Sequence, residues 1–343
     1  MTHRHRNVYV ILPAAWVVVA VLSLALGTTG VSVSDYWRQA SASQGPFKEF
    51  MKLLAELPLP RLAIGTLAGA SLAMAGAMFQ SMFRNPLASP YTLGVSSGAS
   101  LGAAIVIMSV GGGLWYGLPM VGVAAFAGAL ICVTIVYLVA SLRQDQSIGT
   151  LLLAGITIGF ICSALIVSAL FLAERHDMSA ILQWMMGSLQ VVGFEPVYES
   201  LAMAALASGV AIYLHRDLDL LMMGEIVAAS RGVSVRRSRF LIYFAASLLT
   251  AAIVAHCGPI GFVGLMVPHI ARFLVGPTHR HLLPASALVG AVFLPFCDLL
   301  ARNAMWWLQG GSRQLPVGVL TNLVGGCFFL YLLLTRRNDR PIG

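Results

Sequence analysis

Lysine is nearly missing from this sequence: Lys48 and Lys52 are the only two in 343 residues, and charged residues of every kind amount to 10%. No Gly-x-x-x-x-Gly-Lys-[Ser/Thr] string occurs, so the chain lacks the loop whose amides and lysine cradle nucleotide phosphates, and it is not itself an ATPase of that class. His-Glu-x-x-His is missing too, which removes the helical zinc-hydrolase signature. The five cysteines, Cys132, Cys162, Cys257, Cys297 and Cys327, show no Cys-x-x-Cys spacing and lie in or beside apolar runs, so they read as small buried hydrophobes rather than zinc ligands or disulfide partners. Acidic residues number 13 and almost none interrupts an apolar run. An ion-coupled secondary transporter would need carboxylates at mid-membrane depth, so that class is disfavoured. No metal site is expected: His3, His5, His279 and His281 sit beside arginines whose charge opposes a bound cation.

What the chain has in excess is apolar surface, 58% hydrophobic residues and a mean hydropathy of +0.85. A soluble core of this length could not hide so much, and lipid must be its solvent. A hydrocarbon layer about 30 Å thick takes roughly 20 helical residues to cross, because unpaired backbone groups in lipid cost several kcal/mol each. Such runs fall at 8–29, 61–83, 91–110, 118–141, 150–173, 197–215, 240–257, 258–275, 282–302 and 316–335. The expected architecture is an all-α integral membrane bundle of about ten transmembrane helices, one domain over 1–343, with both termini on one side. Arg4 and Arg6 precede the first run as in a signal peptide, but its length and the lack of a clean Ala-x-Ala site favour a retained helix. Two thirds of the 21 basic residues fall on the side of the termini, which makes that side cytoplasmic by the positive-inside rule. The net charge of +8 is thus a topology signal and needs no nucleic-acid partner.

Between the runs, Phe47 to Leu54 repeats its apolar residues at helical spacing and suits a helix lying on the membrane surface. The stretch 179–189, with Trp184, Met185 and Met186, suits a second. The polar segment 216–239 is long enough for two short helices and is the best docking element on the cytoplasmic side. Met74, Met78 and Met82 form a stripe expected to pack in the core. Asp298 stands one turn before Arg302, the spacing of an i,i+4 ion pair.

Several blocks carry a family likeness. They are Leu59-Pro60-Arg61-Leu62, Arg84-Asn85-Pro86-Leu87-Ala88-Ser89-Pro90, Gly224-Glu225-Ile226-Val227-Ala228-Ala229-Ser230-Arg231-Gly232-Val233, Gly258-Pro259-Ile260-Gly261-Phe262-Val263-Gly264, Pro268-His269 and Leu315-Pro316-Val317-Gly318. In this order the chain closely resembles the permease subunits of the iron-siderophore, haem and vitamin B12 ABC importers of bacterial inner membranes. The resemblance implies a ten-helix permease paired with a second permease subunit, two ABC ATPase subunits inside and a substrate-binding protein outside; the second permease is a further copy of this chain or a paralogue, and a single complete ten-span unit is compatible with a homodimer. It implies no cofactor on this chain, ATP and Mg being bound by the partner ATPase; the cargo is expected to be a metal chelate of the iron-siderophore type, with haem, cobalamin or an oxyanion as the alternatives that the same scaffold carries.

The same resemblance assigns roles. Gly224, Glu225, Ala228, Ala229, Arg231, Gly232 and Val233 would couple to the ATPase, with Glu225 pairing a basic residue there or capping its helix and Gly232 turning the chain between the two short helices. Arg61, Arg302 and Arg313 would meet the binding protein at the outer face. Asn85 and Leu87, with Ser147, Ile148, Gly149 and Thr150, would constrict the pathway.

Overall fold

In a computed structural model, the described residues are 3–26, 33–41, 45–110, 114–115, 118–142, 148–309 and 314–335. They form fifteen α-helices, a 3-10 turn at Pro90–Leu93 and one two-residue β pairing of Leu114–Trp115 with Leu118–Pro119. The helices are α1 His3–Ala25, α2 Val33–Ser41, α3 Pro46–Glu56, α4 Pro58–Met82, α5 Val95–Val110, α6 Met120–Ser141, α7 Ile148–Leu172, α8 Arg175–Met185, α9 Glu195–Tyr213, α10 His215–Met223, α11 Glu225–Ser230, α12 Val235–Cys257, α13 Val263–Val275, α14 His279–Gln309 and α15 Val317–Thr335. Among the described residues eight helices are long and apolar enough to cross a membrane, and two shorter apolar ones, at Val95–Ser109 and Val263–Val275, complete the ten expected runs. Helix α3 covers the first stretch read as lying on the surface and α8 most of the second, while α10 and α11 take up most of the polar segment.

Helices α4, α12 and α14 are the inner ones, with most of their lengths buried, whereas α1, α7 and α15 leave most of theirs uncovered. Without a hydrophobic force between helices in lipid, close packing of small residues holds such a bundle together. A Cβ on Gly69 would lie 2.0 Å from the Gly290 carbonyl oxygen, and one on Gly76 only 1.8 Å from that of Gly264. Helix α4 therefore touches α14 and α13 backbone to backbone at two levels. Met74, Met78 and Met82 pack in the same core beside Phe79 and Tyr243, as their stripe suggested.

Helix α13 is short for a physical reason. It starts at Phe262, a non-glycine residue held at φ 64°, and contains Pro268, whose missing N–H leaves the Gly264 carbonyl without its helical donor. The Gln80 side-chain amide of α4 stands in, 3.5 Å from Gly264 O and 3.0 Å from Leu265 O, while Arg272 donates to Gln80 Oε1 at 2.5 Å.

Candidate functional site

At the end of the bundle where α1 and α14 begin, α4 stops in a defined turn. The Asn85 N–H donates to Gln80 O at 3.1 Å and the Arg84 N–H to Ser81 O at 3.2 Å, the paired bonds of a Schellman cap. The left-handed position of that cap is usually glycine, but here Arg84 occupies it at φ 50°, at a cost of roughly 1–2 kcal/mol. The half-buried Asn85 follows, its Oδ1 accepting the Leu87 N–H at 2.9 Å, and Leu87 is exposed. Gly149 and Thr150 lie in the first turn of α7, Gly149 exposed and Thr150 partly so. Ile148 opens that helix, and Ser147 lies outside the described residues.

Beside this turn sit α10 and α11. The sharp turn between them is made by Gly224, at φ 123°, and not by Gly232, which at φ 84° turns the chain from α11 towards α12. The sequence shows two glycines flanking the segment but not where the first short helix ends, so the expectation put the turn one helix too late. Ala228 is fully buried beneath α11, Val233 is partly covered, and Ala229, Arg231 and Gly232 are exposed. Glu225 makes no cap bond; Arg239 of α12 donates to its Oε1, and Arg84 approaches to 3.8 Å. Its most exposed apolar side chains are Met223 at 70% and Ile226 at 87%, with Arg216, Arg231, Arg236 and Arg237 exposed around them.

The acidic residues of α10 face inward. Ser238 of α12 donates to Asp217 Oδ2 at 2.5 Å, and the backbone N–H of His279, at the start of α14, donates to Asp219 Oδ1 at 2.9 Å. The imidazole of His279 adds Nδ1 to the same oxygen at 2.6 Å and places Nε2 2.5 Å from Ser81 Oγ of α4. Partial burial pushes the Asp219 carboxyl up, but hydrogen bonding and charge from His279 outweigh it, and the group sits below its ordinary 3.8. Its contribution is complete above the ordinary carboxylate range and is lost only as pH falls through the lowered value, so Asp219 stays ionised near neutrality. His279, read from sequence only as a histidine beside arginines on the cytoplasmic side, is fully buried. Only the alternation of Asp217 and Asp219 in an otherwise basic stretch hinted at internal partners.

At the opposite end the arginines are not where the sequence reading put them. Arg302 is 1% exposed and donates through Nη2 to Ser23 O at 2.6 Å and Ser23 Oγ at 2.7 Å, pinning α1 to α14. Arg61 is 8% exposed and makes a two-pronged pair with Asp298, Nε to Oδ2 at 2.9 Å and Nη2 to Oδ1 at 2.8 Å. The hydrogen-bonded partner of Asp298 is thus Arg61 and not Arg302. Arg61 lies in the first turn of α4 and Arg302 about two turns before the end of α14, and both are buried, a direction that position near a helix end does not specify. The remaining Arg61 donor reaches Gln314 Oε1 at 2.8 Å, which also accepts from Gln190 at 2.8 Å. Arg313 lies outside the described residues. Among the described residues no cluster of three metal-ligating side chains occurs.

Ten apolar helices, with the short pair α10 and α11 held at one end, make a polytopic helical membrane bundle. The FecCD transport family model matches residues 15–335, and the chain belongs to that family. It is 40% identical over 288 residues to the cobalamin import permease BtuC of Halobacterium salinarum, covering 83% of this chain and 74% of that one. It is 36% identical to the Fe(3+)-citrate import permease YfmE of Bacillus subtilis, covering 94% and 93%. A solved inward-facing structure of a proposed metal-chelate type ABC transporter superposes with a TM-score of 0.83 at 29% identity, covering 96% of this chain and 99% of that one. The chain is the membrane permease subunit of an ABC importer; it is not an enzyme, and ATP hydrolysis belongs to a separate subunit.

Proposed function

We propose that this permease carries an iron chelate of the siderophore or citrate type, handed over by a substrate-binding protein and driven by two ATPase subunits that hold the ATP and Mg. It works in the bacterial inner membrane, paired with a second copy of itself, its termini in the cytoplasm and the whole of 1–343 forming one transmembrane domain. The observation that carries the coupling half is the exposed Met223 and Ile226 on a segment bonded through Glu225 to Arg239 of α12, with Arg84 at the end of α4 3.8 Å from the same carboxylate. In this reading 216–239 is the coupling segment, with Met223 and Ile226 as its apolar contact and Arg231 and Gly232 beside it. Asn85, Leu87, Gly149 and Thr150, with Ser147 and Ile148, form the constriction.

Docking outside falls to Arg61 and Arg313. A carboxylate of the binding protein reaching Arg61 would have to compete with Asp298, so docking and the inner pair exclude one another. Arg302, held by Ser23, serves the joint between α1 and α14 instead.

For the cargo, the ferric citrate relative matches nearly end to end, which supports iron. The cobalamin relative is the more identical over its shorter match and supports a cobalt chelate as the second reading. Uptake of labelled ferric siderophore, ferric citrate, haemin and cobalamin, in a strain lacking this chain and in the same strain with it restored, decides between them. Restored ferric uptake alone is expected; restored cobalamin uptake alone overturns the iron reading.

A further inference from the structure

The coupling reading names a contact for the ATPase but not the bonds by which movement of that contact reaches the pathway. Among the described residues the ion pair between α11 and the end of α4 is the 3.8 Å approach of Arg84 to a half-exposed carboxylate. Pairs of that kind are weak, about 0–1 kcal/mol. The buried connection is elsewhere.

We propose that His279 is the positioning residue that ties the coupling segment to the gate end of α4, through Asp219 on one side and Ser81 on the other. The proposal rests on the coupling reading above. Three elements meet at this one ring: Asp219 from α10, the first turn of α14, and Ser81 of α4, whose carbonyl accepts in the Schellman cap that leads to Asn85 and Leu87. The ring is fully buried, and both of its nitrogens are engaged, at 2.6 Å and 2.5 Å. Hydrogen bonds to a charged group are worth about twice neutral ones, and the low dielectric around this ring strengthens them.

The donor count is informative. Ionised Asp219 can only accept, so Nδ1 carries a proton towards it. Ser81 has one proton and already lies 2.8 Å from Ala77 O, one turn back in α4. When that proton goes to Ala77, Nε2 must donate to Ser81, and the ring is the imidazolium paired with Asp219. When the ring is neutral at Nε2, Ser81 turns its proton to the ring and Ala77 O keeps only its backbone donor. The ring is therefore linked to the hydrogen bonding of the last turns of α4, whichever proton state it holds.

Room for movement is present on one side. A cavity of about 440 Å³ lined by Ile212, His215, Arg216, Arg280, Leu283 and Pro284 borders His279, so α10 can shift against α14 without first repacking a filled core. On its other side α10 is held by Asp217 to Ser238 of α12, so a push on the segment is divided between α12 and the His279 connection.

The test uses this chain in complex with its ATPase subunits in lipid nanodiscs, with amide hydrogen exchange followed in α10 and in the turn 83–94 before and after ATP and vanadate. In the unaltered complex both segments change on adding nucleotide. In His279→Ala, α10 still responds, whereas the response of 83–94 falls at least about fivefold. His279→Asn, whose amide stands where Nδ1 stood, keeps the Asp219 bond and loses Ser81; it gives the same result if His279→Ala fails to fold. An undiminished response of 83–94 in either variant overturns the proposal. Ile226→Asp separates the two levels. Loss of ATPase association there, with a normal response in His279→Asn, overturns this inference and leaves the coupling reading standing. Retained association there, with a lost response in His279→Asn, upholds the His279 connection and overturns the choice of ATPase contact.

Discussion

Arg61 and Asp298 lie 237 positions apart and close one of the few ion pairs inside the bundle. Such a pair is dangerous to break singly: an uncompensated buried charge costs about 3–5 kcal/mol, while replacing both partners by apolar residues of similar volume is often neutral or better. Asp298→Leu should therefore lower the thermal midpoint of the purified protein sharply, and adding Arg61→Leu should recover most of the loss. If the double variant were as unstable as the single one, the pair would not be the reason. The same residues mark a boundary of sequence reading. Asp298 and Arg302 are one turn apart and their pairing was the local inference to make, but the partner that won came from another helix. His279 shows the same limit, since nothing in its neighbourhood of arginines announces Asp219, 60 positions away.

Each apolar run is its own maximum of hydropathy, so all ten are legible separately, including the short α5 and α13 with their Gly, Ser and Pro. Which runs touch is not, because they draw on the same few residue types, chiefly Ala, Gly, Val and Leu. Gly69 and Gly76 were visible as small residues; that Gly290 and Gly264 face them is a property of the packed chain. At Gly76 the closest neighbour is backbone, which cannot turn aside as a side chain can. Gly76→Leu should prevent α4 from seating on α13, seen as loss of the monodisperse peak in size-exclusion chromatography, whereas Gly209→Leu on α9, with nothing within 4 Å, should leave it intact. At the turns the demand is on dihedral angle instead. Proline fixes φ near −65°, against the +84° of Gly232. Gly232→Pro is expected to leave the protein inserted and ATP hydrolysed while uptake per ATP collapses; normal uptake would remove the turn from the coupling segment.

On the scale of the whole molecule the uncovered faces are those of the outer helices, and α7 is unusual among them. Thr150, Thr157 and Ser168 lie within about 20° of one another around it, at spacings of 7 and 11 residues, between exposed residues such as Ile161. The two better exposed hydroxyls are already spent on their own helix, Thr157 on Leu153 O at 2.8 Å and Ser168 on Ala164 O at 3.0 Å. A face of this kind is faintly polar yet offers no strong hydrogen bond, which suits a pathway that must release a large chelate and not hold it. Lipid would be indifferent to the same pattern, so the two environments have to be told apart by charge. An aspartate in the middle of a helix facing lipid costs about 2.5–3.5 kcal/mol, whereas one facing a water-filled pathway keeps its hydration. Thr157→Asp should therefore insert at nearly the normal level, while Leu206→Asp, on an exposed face of α9, should insert poorly. In the assembled transporter Thr157→Asp should also reduce uptake of an anionic chelate several-fold without changing ATPase association. Equal insertion defects at both positions would assign α7 to lipid and move the pathway to another face.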